Sequence, residues 1–148
     1  MKIFFALALG IFSLSPAVAA DFKPYPGARV EEAATQAARR DSAQNPLQLK
    51  EMVLTIYLTD ALFEKVAAFY RGLGREYKMP GGQDPQKLPG GQELKAAYFI
   101  FDGAKDLVAS RRWAKVQRPY IGDMKMVGRT PQYQDVREVT VIILSEEK

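Results

Sequence analysis

The stretch RRWAKVQRP, residues 111–119, has two readings, and the fold follows from which one is taken. As a strand its side chains alternate, so Ala114 and Val116 face a helix layer while Arg111, Trp113, Lys115 and Gln117 point the other way. As a helix it aligns Ala109, Trp113, Val116 and Tyr120 at spacings of four, three and four, and Trp113 becomes a core residue. Pro119 interrupts a helix, and Val116 is β-branched and favours extended backbone, so the strand is preferred.

The segments on either side fit a sheet that includes this strand. EMVLTIYL (51–58) alternates, with Met52, Leu54, Ile56 and Leu58 on one face and Val53, Thr55 and Tyr57 on the other. Thr59 and Asp60 then offer cap oxygens to ALFEKVAAFYRGLG (61–74), where Leu62, Val66, Phe69, Tyr70 and Leu73 recur at helical spacing and Gly72 or Gly74 supplies a stop. The main helix is therefore expected at 60–72, with its stripe on the sheet. LKAAYFIFDG (94–103) is the most apolar stretch and reads as a central strand, Ala97, Phe99 and Phe101 on one face, Tyr98 and Ile100 on the other. VREVTVIILS (136–145) closes the chain as a strand with Val139, Val141 and Ile143 toward the core, and REYKM (75–79) is a short strand candidate.

The remaining segments carry turn or loop signals. DFKPYPGARV (21–30) is an extended lead-in with a Pro26-Gly27 turn. In VEEAATQAARRDSAQNP (30–46), Val30, Ala33, Ala34, Ala37 and Ala38 share a stripe, which fits a helix over 30–43 that ends before Pro46. PGGQDPQKLPGGQ (80–92) has three Pro and four Gly in thirteen residues and lacks the spacing of a phosphate loop, so it reads as a connector. AKDLVAS (104–110) suits a helical turn and YIGDMKMVGRTPQYQ (120–134) a long loop. The fold class predicted is α+β: a four- to five-stranded, mainly antiparallel sheet with one main helix packed on one face and a further helix near the N-terminus.

The first twenty residues, MKIFFALALGIFSLSPAVAA, hold one Lys, an apolar run from Ile3 to Leu14 and small residues at Val18, Ala19 and Ala20, the pattern of a secretory signal peptide. The run is shorter than the roughly 20 residues that span a bilayer, so cleavage rather than retention as an anchor is expected. Cleavage before Asp21 leaves 128 of the 148 residues, one exported domain at 21–148 of periplasmic or secreted location. No lipid-bearing Cys follows the leader, so no integral or lipid anchor is expected. The chain has neither Cys nor His, which removes disulfides, thiol nucleophiles, His general bases and His-ligated metals. Carboxylate, Lys, Tyr and Ser chemistry remains. Beyond the leader 20 bases face 17 acids, and residues 105–129 carry seven bases against two acids, so the positive charge is local. Export argues against a nucleic-acid partner.

Two segments carry a resemblance. PYPGA (24–28), followed by LTDALFEKVAAFYRGL (58–73), resembles a loose group of small bacterial exported proteins of unknown function, in which a Y-P-G-[AS] turn precedes a strand and a T-D-(x)n-V-x-x-F-Y helix. The Trp-bearing strand and the ending DVREVTVII (135–143) are similar to the same group. The resemblance implies a small α+β domain and no particular activity.

If Tyr57 and Tyr98 also point away from the helix layer, the far face of the sheet carries Tyr57, Tyr98 and Trp113 flanked by Arg111 and Lys115, and Arg118 of the same basic strip is added as a candidate ligand contact. Aromatic rings supply flat contact area and cations supply charge pairing. This set is the candidate ligand surface, for an anionic or protein component of the bacterial envelope. The competing reading is that the Ala-rich N-terminal segment or a second copy of the chain covers this face. Asp102, Asp106 and Asp123 lack the oxygen density of a calcium loop, and the first two fit turn caps better, so neither metal nor cofactor is expected. Two carboxylates can hydrolyse a glycosidic bond without His, so a small envelope hydrolase is the alternative to a non-catalytic binding or assembly domain.

Overall fold

The computed structural model describes residues 21–44, 50–81 and 86–148. The leader expected at 1–20, the stop expected at Pro46 and positions 82–85 of the connector lie outside them. In chain order the elements are β1 (Arg29–Val30), α1 (Glu32–Gln44), β2 (Met52–Thr59), α2 (Phe63–Arg71), β3 (Arg75–Tyr77), β4 (Gln86–Lys87), β5 (Glu93–Ile100), β6 (Arg112–Arg118), β7 (Tyr120–Val127), β8 (Thr130–Arg137) and β9 (Thr140–Glu147). The α+β class holds, but the strand number does not. A seven-stranded sheet runs β1-β2-β9-β6-β5-β3 with β4 also on β5, every pair antiparallel, and β7 and β8 form a separate two-stranded ribbon. The strands beyond the expected four or five are the two-residue edge pieces β1 and β4, too short to show alternation, and the ribbon, while the short strand candidate at 75–79 forms β3.

The RRWAKVQRP stretch forms β6, a strand between β5 and β9 in the interior of the sheet. Its Ala114 and Val116 join Phe99 and Ala97 of β5, Ile142 of β9 and Val66, Ala67 and Tyr70 of α2 in the main core. Aromatic rings fill the layer beneath α2: Phe22 stacks on Tyr70 at 5.5 Å and meets Phe101 edge-on at 5.5 Å. Phe22 arrives there because the lead-in turns at Pro26-Gly27, where Gly27 takes φ +80° and the Ala28 N–H donates to the Tyr25 carbonyl. The Thr59 and Asp60 caps expected for α2 are not used; Leu62 precedes the helix without a side-chain cap, and Thr59 Oγ1 instead accepts the Ala61 N–H. Gly74 follows the helix at a close approach, since a Cβ there would lie 2.8 Å from the Phe101 ring and 2.9 Å from the Ile100 carbonyl.

The opposite face has its own cover. α1 lies along β2, with Ala34 and Ala38 packed near Ile56, Leu58, Val141 and Ile143. Buried Thr35 turns its Oγ1 to the Ile56 N–H (3.0 Å), and Arg39 Nε donates to the Leu54 carbonyl (2.7 Å), so the helix also satisfies part of the β2 edge. Val139, Val141 and Ile143, expected to face the main core, belong to this second layer, or in the case of Val139 border it, while Ile142 and Leu144 look toward α2.

The segment expected as a loop, 120–134, is mostly ribbon. Gly128 at φ +63° and Arg129 make a two-residue turn between Val127 and Thr130, a hairpin signal of the Gly-X kind. Asp102 and Asp106 do serve the turn after β5: Asp102 accepts from the Ala104, Arg111 and Arg112 N–H groups and the Ser110 hydroxyl, and Asp106 accepts from Ala109 N–H. Burial alone would raise the Asp102 carboxyl, but these donors outweigh it and hold its pKa below the ordinary value. Among the described residues no helix is long and apolar enough to cross a membrane.

Candidate functional site

The sheet register brings side chains of one face into rows. One row reads Tyr77, Tyr98, Lys115, Ile143 and Ile56 across β3, β5, β6, β9 and β2. At the β2 end α1 covers it; at the β3 end it is open. The next row reads Ile100, Trp113, Ser145 and Leu54. Trp113 therefore points away from α2, and its ring lies 6.2 Å from that of Tyr98, tilted by 44°.

A cleft of about 630 Å³ opens over the uncovered part of this face. Its floor is Ala96, Tyr98 and Lys115; its outer side includes Tyr77, Met79 and Leu94. The cleft exists because the edge ladder on β5 is interrupted. β3 ends with Tyr77 opposite Tyr98, and β4 resumes with Gln86 opposite Leu94, so Ala96 and Ala97 have no strand partner on that edge among the described residues. Residues 78–81 leave the sheet and stand beside the gap.

Lys115 is the unusual group in the cleft. Its ammonium sits 5.9 Å from the Tyr98 ring centroid, at the outer limit of a cation–π contact, and no hydrogen bond or ion pair reaches it among the described residues. Loss of water around it pushes its pKa below the ordinary 10.5, and the same desolvation raises that of Tyr98. The arginines of the same strip are each paired: Arg111 with Glu147 (3.2 Å), Arg112 with Glu146 (3.0 Å) and Asp21 (3.2 Å), Arg118 with Glu138 (3.7 Å). Much of the expected positive strip is thus neutralised by acids from β9 and its flanks. Glu76, the one acidic residue among the described cleft lining, is held by Arg71 at 2.6 Å.

Of the six residues selected from sequence, three meet and three do not. Tyr98, Trp113 and Lys115 are neighbours on one face. Tyr57 is on the opposite face: it pairs with Ile142, packs against the main core and lies 6.0 Å from Phe22. The reason is that both faces of β2 are apolar enough to bury, so alternation separates them without saying which lies under α2. Arg118 also points to the α2 side, where it reaches the Ala61 carbonyl and Thr140 Oγ1 (3.4 Å each). Arg111 is exposed at the far end of the strand. Tyr77, Met79 and Leu94 are not selected by the sequence reading, because their place in the cleft depends on the interrupted pairing along β5. No family model matches the chain, and neither the curated proteins nor the solved structures contain a match to it.

Proposed function

We propose that this protein is a non-catalytic binding domain of the bacterial cell envelope that holds an amphipathic anion in the Lys115 cleft. The observation that carries the reading is the ammonium of Lys115, partly buried on the cleft floor without a counter-charge among the described residues. Desolvating a cation without a partner costs stability, and an entering anion offsets that cost. The apolar part of the ligand has Tyr98, Ala96, Leu94 and Met79 to lie against, and the volume suits a small molecule. Function outside the cytoplasm rests on the leader pattern of the first twenty residues.

Titration calorimetry with decanoate, decanol and decylammonium tests the reading. Decanoate is expected to bind, decanol to bind at least about tenfold more weakly and decylammonium not at all, since only the carboxylate satisfies Lys115. Lys115→Met should abolish the preference for decanoate, and added salt should reduce it. Equal affinity for decanoate and decanol, or an unchanged preference in Lys115→Met, would sink the proposal.

A further inference from the structure

The same cleft has a second chemical consequence, which rests on the location of Lys115 and not on the charge of the natural ligand. We infer that Lys115 is a nucleophilic amine that captures aldehydes bearing an apolar tail, as an imine. Lysine attacks a carbonyl only through its neutral amine, and an exposed lysine is almost wholly protonated at neutral pH. Three features at Lys115 favour the neutral form and its access to a carbonyl: partial burial on the cleft floor, the absence of a carboxylate partner among the described residues, and an opening to solvent. By contrast Lys95, on the neighbouring strand, is ion-paired with Glu64, and Lys148 with Glu51. Those contacts tie up the amine.

The step balances without an oxidant or reductant. The Nζ lone pair adds to the carbonyl carbon to give a carbinolamine, whose hydroxyl leaves as water once protonated by solvent in the open cleft, and a C=N bond remains. The tail lies on Tyr98, Leu94 and Met79. Hydrolysis reverses the step, so capture is reversible.

The test uses the whole chain, octanal as probe and cyanoborohydride to fix the imine as a secondary amine, followed by peptide mass mapping at neutral pH. Beyond Lys2 the chain has ten lysines, so each exposed one serves as an internal control. Labelling of Lys115 is expected to exceed that of exposed Lys23 and Lys125 by about tenfold, since the cleft lining holds the aldehyde's tail beside the Lys115 amine. In Lys115→Arg the strong site should disappear while labelling of Lys23 and Lys125 is unchanged. Labelling spread over the exposed lysines, with Lys115 not above them, overturns the inference. The outcome is separable from the decanoate experiment: decanoate binding without Lys115 labelling removes only the imine chemistry, and Lys115 labelling without decanoate binding removes only the anion reading.

Discussion

The two faces of the sheet are built from the same strands and end in different states. Beneath α2, Phe22, Tyr57, Tyr70, Phe99 and Phe101 form a layer in which every ring meets another ring. Across the sheet, α1 covers the β2 and β9 side and leaves Tyr98, Lys115 and Tyr77 beside a cleft. One face has been completed by side chains of the chain itself, whereas the other keeps a cation that no described residue neutralises. The sharpest way to break this comparison is to truncate neighbours on β5. Phe99 is fully buried, so Phe99→Ala should cost about 3–5 kcal/mol in urea unfolding. Tyr98→Ala, one residue away and on the open face, should cost roughly 1 kcal/mol. Equal losses would mean that the second face is as much a core as the first.

A smaller effect is expected where α2 returns to the sheet. At Gly74 an added methyl meets the Phe101 ring and the Ile100 backbone, neither of which can swing aside without disturbing the aromatic layer. Gly74→Ala should destabilise by about 2 kcal/mol. The same change at Gly91, at φ +88° with open space around it, carries only the backbone strain of a positive φ, roughly 1 kcal/mol. A ranking in the reverse order would show that the contact with Phe101 does not limit how α2 docks.

The legible parts of the fold are those where a local signal had one interpretation. β5 alternates as read, Pro26-Gly27 turns as read, and the choice of a strand for 111–119 puts Trp113 on the side expected. The illegible parts depend on pairing between distant segments. Alternation places Tyr57 on the wrong face because a strand partly buried on both sides has no polar side to orient it. The β7–β8 ribbon lay behind a Pro and a Gly that read as loop, although Met124 and Met126 against Asp123 and Lys125 already alternate and Gly128-Arg129 is a hairpin turn. For the site, Lys115 could be picked from its neighbours in sequence, but its lack of a partner among the described residues could not. Arg111, Arg112 and Arg118 are equally basic on paper, and only the folded chain brings Glu138, Glu146 and Glu147 to them and none to Lys115.

That difference gives the smallest expected effect and the one that best sharpens the contrast between the faces. Burial lowers the Lys115 pKa in the folded protein beneath the 10.5 of the unfolded chain. Between the two values the unfolded chain binds more protons, so stability rises with pH across that window. The destabilisation is complete below the folded value and gone once pH passes 10.5. Lys115→Met removes it at every pH and keeps the stem's packing, so the variant should be more stable than the parent by about 1 kcal/mol at neutral pH. The advantage should shrink as pH rises toward roughly 10. Tyr98 and Tyr57 contribute the opposite slope, since their raised pKa values cost stability as pH rises past 10.0, but they are common to both proteins and cancel in the difference. Urea unfolding of the pair from about pH 7 to pH 10 measures that difference. A gap that stays constant with pH would show that the ammonium is well solvated in the folded state, and a variant less stable than the parent would show that it has a partner. In either case the cleft would hold no unmet charge for a ligand to answer.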